Sequence, residues 1–186
     1  MKNLFKGLLK INNVDNWHES MIKHLIILLK PKSYLELGLY QCELFNKLIP
    51  YCNSLVGVDI VEKSGNFMKK SNKVSFMNMT TDAYYLLAKS KNLKFDFIFI
   101  DADHSKESVY NDFNNYINLL SDQGIMCLHD SYPKNKLFTE PGYCGDGYKA
   151  IFELSKNTED YEMVTIPIHP GLTIVRKRKK QVNFND

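Results

Sequence analysis

Two short stretches place acids beside histidines at the ends of apolar runs. FDFIFIDADH (95 to 104) delivers Asp101, Asp103 and His104 after a run of apolar and aromatic residues, and GIMCLHD (124 to 130) ends in His129 and Asp130. A histidine next to a carboxylate can accept and hold a proton, so His104 and His129 are candidate general bases, with Asp101 as an orienting partner. His104 lies beyond its strand and is the first choice. His129 suits a more interior place, orienting Asp130. Asp101 and Asp130 also form a carboxylate pair able to hold a hard divalent cation such as Mg²⁺. The residue after Asp130 is Ser131, a weak oxygen ligand, which argues against the metal.

Glycine and further acids end the other apolar runs. SYLELG (33 to 38) closes on Glu36, Leu37 and Gly38; SLVGVDI (54 to 60) on Asp59; KVSFMNM (73 to 79) is followed by Thr80, Thr81 and Asp82. Gly38 lets backbone approach a ligand where a Cβ would intrude. Asp59, 21 residues further on, stands where an acid can accept hydrogen bonds from ribose hydroxyls. A dinucleotide site would need G-x-G-x-x-G; here Tyr40 and Cys42 stand where further glycines belong, so a pyrophosphate is not expected.

The elements that must position these groups alternate. Apolar runs of strand length are separated by helical patterns: QCELFNKLIPY after the first, TDAYYLLAKS (81 to 90) with Thr81 or Asp82 as its cap, and 105 to 120, where Val109, Phe113, Ile117 and Leu120 share a face. Strands 1, 2, 4 and 5 are apolar on both faces, as expected between two helical layers. GYKAIFELSK (147 to 156) reads as a helix. EMVTIPI (162 to 168) and GLTIVRK (171 to 177) are separated only by His169 and Pro170, too little for a crossover, so they pair antiparallel. The expected fold is α/β: a doubly wound, mostly parallel seven-stranded sheet closed by an antiparallel C-terminal hairpin.

LELGLY, VGVDI, FDFIFIDADH and GIMCLHD, in this order and spacing, resemble class I S-adenosylmethionine-dependent methyltransferases, over residues 20 to 178. The pairing of DADH with HD is most similar to small O-methyltransferases of the catechol, caffeoyl-CoA and macrolide-sugar types. The resemblance implies a Rossmann-like sheet of order 3-2-1-4-5-7-6 and S-adenosylmethionine as cofactor. It implies that Glu36, Gly38, Leu39 and Tyr40 hold the methionine end, Asp59 the ribose and Ile60 the adenine face. Thr81 and Asp82 would lie near the adenine amine, and Asp101 and Ala102 under the sulfonium. Cys42, replacing a motif glycine, would narrow the first loop. Metal-dependent relatives carry Asp-Asn where this chain has Asp130-Ser131.

Length and composition fit one domain, 1 to 186, divided into an N-terminal helical segment (1 to 32), a catalytic core (33 to 178) and a basic, polar tail (179 to 186). Of the 186 residues 44% are hydrophobic and 24% charged, and no apolar run reaches the ~20 residues of a membrane span. MKNLFKGLLKINN does not read as a signal peptide. Four scattered cysteines without a CxxC pair argue for reduced thiols and a cytoplasmic setting. RKRKK (176 to 180) supplies more than the whole positive excess, so the body is nearly neutral and nucleic acid is not an expected partner.

The expected activity is methyl transfer to a hydroxyl of a small molecule, a sugar or phenol. The alternatives are N-methylation of a macromolecule, disfavoured by the missing Asn/Asp-Pro-Pro-Tyr/Phe stretch, and a cofactor-binding partner protein without turnover. The apolar stripe at 21 to 29 would pack the first helix onto the sheet or onto a second copy in a homodimer. Loop 131 to 147 is read as either a substrate wall or a mere surface loop. His18, His24 and His169 belong to no constellation in the sequence.

Overall fold

The structure is a computed structural model describing residues 16–157 and 159–178. The expected features at 1 to 15 and in the 179 to 186 tail lie outside these residues.

β1 (Ser33–Leu37), β2 (Ser54–Asp59), β3 (Val74–Asn78), β4 (Phe95–Ile100), β5 (Leu120–His129), β6 (Tyr161–Ile166) and β7 (Leu172–Lys177) form one sheet of order β3-β2-β1-β4-β5-β7-β6. The first five strands run parallel; β7 pairs antiparallel with both β5 and β6. This is the doubly wound sheet with a terminal hairpin that the spacing predicts. The helices are α1 (Trp17–Leu29), α2 (Glu43–Leu48), α3 (Thr81–Ser90), α4 (Lys106–Tyr116) and α5 (Tyr148–Leu154).

Strand side chains alternate between faces, and this sorts the core in two. Leu35, Leu37, Ile98, Ile100, Met126 and Leu128 pack with residues of α3, α4 and α5. Their neighbours Tyr34, Phe97, Phe99 and Cys127 pack on the opposite face with α1 and α2, through Ile22, Ile26, Phe45 and Leu48. Glu36 shares the second face, which puts a carboxyl inside an otherwise apolar layer.

Some boundaries differ from expectation. α3 is capped by Thr80, whose side chain accepts from the Ala83 N–H, rather than by Thr81 or Asp82. α4 stops at Tyr116, and Leu120 opens β5, because Leu120 pairs with Phe95 across a register shift that bulges the strand. The stripe of α1 is split: Ile22 and Ile26 are buried, whereas Ile27, Leu28 and Leu29 are exposed. No described helix is long and apolar enough to cross a membrane.

Candidate active site

The carboxyl ends of β1, β2, β4 and β5 form one edge, as the winding of an open α/β sheet requires. Gly38, just past β1, sits at φ +82°, and a Cβ there would lie 2.1 Å from the Asp101 carbonyl oxygen. The Gly38 N–H donates to Val58 O (2.9 Å) and the Asp101 N–H to Leu37 O (2.8 Å), so the ends of β1, β2 and β4 are laced at this point.

The next turn holds Tyr40 (φ 47°) and Cys42 (φ 55°) in the left-handed region, which is costly for residues other than glycine. Asp59 braces it. Its Oδ2 accepts from the N–H groups of Leu39 (2.9 Å) and Tyr40 (3.2 Å), and its Oδ1 from that of Val61 (2.7 Å). Tyr40 is 80% exposed, whereas Cys42 is fully buried with its thiol on Ser64 O (3.3 Å). Cys42 therefore turns under the loop, lines neither cleft and does not narrow it, contrary to the sequence expectation.

Two clefts open along this edge. The larger, about 890 Å³, takes in Gly38, Tyr40, Asp59, Ile60, Thr81, Asp101 and Ala102, and with them His104, His129 and Asp130. The smaller, about 280 Å³, is bounded by Glu36, Gly38, Leu39, Tyr40 and Asp101, together with Asn16, His18 and Glu19. They meet at Gly38, Tyr40 and Asp101. Of the sequence candidates only Asp82 lines neither; its carboxylate accepts from the Asn115 side chain at 3.1 Å. Asp112 of α4 stands there instead, 3% exposed and lining the larger cleft. Burial pushes the Asp112 carboxyl up to about 6, against a hydrogen bond from Thr81, and Asp82 and Asp103 add to the rise. Its signal in the sequence was faint, an acid abutting the buried Phe113 on the inner face of a helix.

The acids and imidazoles after β4 and β5 converge. His129 Nδ1 donates to Asp101 Oδ1 at 2.9 Å. His104 Nδ1 lies 2.6 Å from the Tyr143 carbonyl and 3.2 Å from Asp130 Oδ2, so it carries a proton, and Nε2, 3.6 Å from Asp101 Oδ1, is the nitrogen free to exchange one. Asp101, with Asp130 and the Tyr143 carbonyl in support, outweighs burial and raises His104 to about 9. Burial would lift the Asp101 carboxyl, but the two imidazoles prevail and hold it well below the usual carboxylate range. Burial also disfavours charge on His129, and Asp101 overcomes it, raising that imidazole.

His18, which the sequence left without a constellation, stacks on His129 with ring centroids 3.9 Å apart. Burial and the His129 charge lower it to about 4, so it is neutral. Glu36 is 3% exposed and accepts a hydrogen bond from the Tyr34 hydroxyl. Burial raises it to about 8, the Tyr34 bond opposing and Asp101 adding.

Asp101, His104 and Asp130 each offer a ligand atom within 4.8 Å of the others, a donor set that fits a divalent cation. Ser131 Oγ, next in sequence to Asp130, is buried with no hydrogen-bond partner among the described residues. Loop 131 to 147 packs against His104. The Gly147 N–H donates to His104 O (2.8 Å), Gly145 lies where a Cβ would strike that carbonyl, and Cys144 is buried.

The profile of a family described as a methyltransferase domain matches residues 35–131. No curated protein sequence matches the chain. The fold is similar to that of an O-methyltransferase from Bacillus cereus solved in complex with SAH, at 15% identity and TM-score 0.75 over 93% of this chain and 86% of that one. It is also similar to TomG from Streptomyces achromogenes, an O-methyltransferase of tomaymycin synthesis solved with SAM (15%, TM-score 0.67, 86% and 79%). The N-methyltransferase NodS from Bradyrhizobium japonicum shares it as well (16%, TM-score 0.63, 91% and 98%). With just over half of its length matched by that profile, on a sheet of this order, the chain belongs to the methyltransferase-domain family.

Proposed function

We propose that the protein transfers a methyl group from S-adenosylmethionine to a hydroxyl of a small molecule, a sugar or a phenol. The observation that carries this reading is the meeting of the two clefts at Gly38 and Asp101, with a proton-accepting histidine at the same point.

The residues fit the cofactor. Asp59, Ile60, Thr81 and Ala102 bound a space suited to the adenosine, with Asp112 rather than Asp82 at its far end. Asp59 already orders the turn through the N–H groups of Leu39 and Tyr40, so it serves the ribose and the loop together. Glu36, Gln41 and Asn16 bound a smaller, polar space suited to the amino-acid end. When bound, the cofactor supplies an electrophilic methyl carbon on a sulfonium.

A hydroxyl acceptor must lose its proton during transfer. His104 Nε2 is the accepting atom, and the carbonyl of Tyr143 fixes the ring by holding Nδ1–H. His129 acts on Asp101, and His18 backs His129 through the stack. General-base help is worth ~10²–10⁴-fold, and alignment by the cleft walls adds to it. A divalent ion held by Asp101, Asp130 and His104 would occupy the same Nε2 lone pair, and when bound would take the place of the base by lowering the pKa of a coordinated hydroxyl. The need for a base favours oxygen over a neutral amine as acceptor.

The test is calorimetry with S-adenosylmethionine and with NAD, followed by a screen of cell extracts for release of S-adenosylhomocysteine and mass identification of the product. Binding of the sulfonium nucleoside and not NAD, with a methylated hydroxyl found, is the expected result. Preferential NAD binding, or methylation on nitrogen, overturns it.

A further inference from the structure

The turn between β6 and β7 stands beside the carboxyl end of β5, because His129 pairs with Leu172 across the antiparallel ladder. His169, which the sequence places in no constellation, lies in this turn. Three hydrogen bonds tie the surrounding chain to it. The Trp17 indole N–H donates to His169 O (2.9 Å), the Lys134 N–H to His169 Nδ1 (3.3 Å) and the Tyr132 N–H to Pro170 O (2.8 Å). Gly171, at φ +100°, permits this approach; a Cβ there would lie 2.2 Å from the Tyr132 nitrogen. The Lys134 bond selects the tautomer, with the lone pair on Nδ1 and the ring hydrogen on Nε2.

The same ring has a second contact. It meets Phe138 with centroids 4.2 Å apart, and Phe138 meets Tyr143 in a T-shaped pair at 5.4 Å. Tyr143 supplies the carbonyl that holds His104 Nδ1 at 2.6 Å. A file of three rings thus runs from the hairpin turn to the base. Position 169 has to accept an N–H and present an aromatic face at once. Imidazole does both; asparagine would keep the acceptor and lose the face, and phenylalanine the reverse.

We propose that His169 is a positioning residue for His104, acting through Phe138 and Tyr143. The ring file sets where the Tyr143 carbonyl stands, and that carbonyl sets the angle of the imidazole. This rests on the methyl-transfer reading for the use made of His104 and adds the residues that aim it. A base acts only when its accepting atom lines up with the proton it takes, and a misplacement of ~1 Å can cost ~10²-fold. The Trp17 bond carries the same turn to α1, whose His18 stacks on His129. The hairpin turn is the common footing of the base and of the His18–His129 stack.

The test reads the His104 ring by NMR of the chelator-treated full chain, with isotope-labelled histidine, near neutral pH and without an acceptor. The Nδ1–H signal that His104→Gln removes belongs to this ring. In wild type that hydrogen should exchange slowly with water, because the Tyr143 carbonyl holds it. His169→Ala and Phe138→Ala should each speed the exchange about threefold or more through loss of an aromatic contact. His169→Phe keeps a ring against Phe138 and should return the rate to within about twofold of wild type. Thr165→Val removes the hydroxyl pair with Thr173 elsewhere in the hairpin, and should lower Tm without moving the signal. Phe138 lies in the loop, outside the sheet, so its variant still reads the contact if His169→Ala does not fold. A wild-type Nδ1–H that exchanges freely, a rate unmoved by the alanine variants, no recovery in His169→Phe, or equal quickening by Thr165→Val overturns the inference. Calorimetry with S-adenosylhomocysteine is run on the same wild-type protein. Failure to bind brings down the methyl-transfer reading and leaves the ring file to its own test; binding with an unmoved signal brings down the positioning role alone.

Discussion

Replacing Glu36 by glutamine isolates one buried proton. Glu36 lies in the apolar layer between β1 and the α1–α2 face, 3% exposed, with the Tyr34 hydroxyl as its hydrogen-bond donor. The folded chain keeps its proton up to about pH 8, chiefly because burial penalises the anion, whereas the ordinary value is 4.5. Between those pH values the folded state binds more protons than the unfolded one, so the unfolding free energy falls as pH rises. At about 1.4 kcal/mol per pH unit, the interval corresponds to ~5 kcal/mol present in acid and lost by pH 9. Glutamine keeps the acceptor oxygen for Tyr34 and has no proton to lose. Urea unfolding of wild type and Glu36→Gln from pH 5 to 9 should give similar stability at pH 5. The variant should then gain a growing advantage, reaching ~4 kcal/mol by pH 9. A difference that varies by less than ~1 kcal/mol across that range would refute the placement of an uncharged carboxyl in this layer.

Gly38→Ala should destabilise the fold by at least ~2 kcal/mol and abolish cofactor binding, because its Cβ meets the Asp101 carbonyl at 2.1 Å and φ is +82°; denaturation together with calorimetry checks both. Asp59→Ala removes the acceptor for two N–H groups of the first turn and for that of Val61, and should weaken S-adenosylmethionine about tenfold or more while the sheet still folds. On an identified acceptor, kcat/KM should climb about tenfold per pH unit from pH 7 and level off near 9, because His104 holds its proton until then. A flat profile removes it as base. Excess chelator should lower turnover if a cation sits among Asp101, His104 and Asp130; full activity in chelator removes the metal from the mechanism.

The strands were readable because burial on both faces leaves uninterrupted apolar runs, and because His169–Pro170 is too short to be anything but a hairpin turn. The residues after each strand followed from topology alone, since winding of this kind aligns the strands' carboxyl ends. What escaped were contacts made across the chain. His18 and His129 are far apart in sequence, and only the docking of α1 against β5 stacks them. Asp82 and Asp112 looked alike as helix acids. The first turn of α3 points Asp82 at Asn115, while Asp112 faces inward, a difference of helical phase that a one- or two-residue error in a boundary conceals. Cys42 misled because spacing gives position in a loop and not the direction of the side chain.

The 131 to 147 loop and His104 are one body. Tyr143 grips the His104 ring through its carbonyl, and Gly147 grips the His104 backbone, so the segment 131 to 147 sets the angle of the imidazole. Grafting a different 131 to 147 segment to recruit a new acceptor would therefore re-aim the proton-accepting nitrogen too. A redesign of this segment must therefore re-establish the seat of His104 as well.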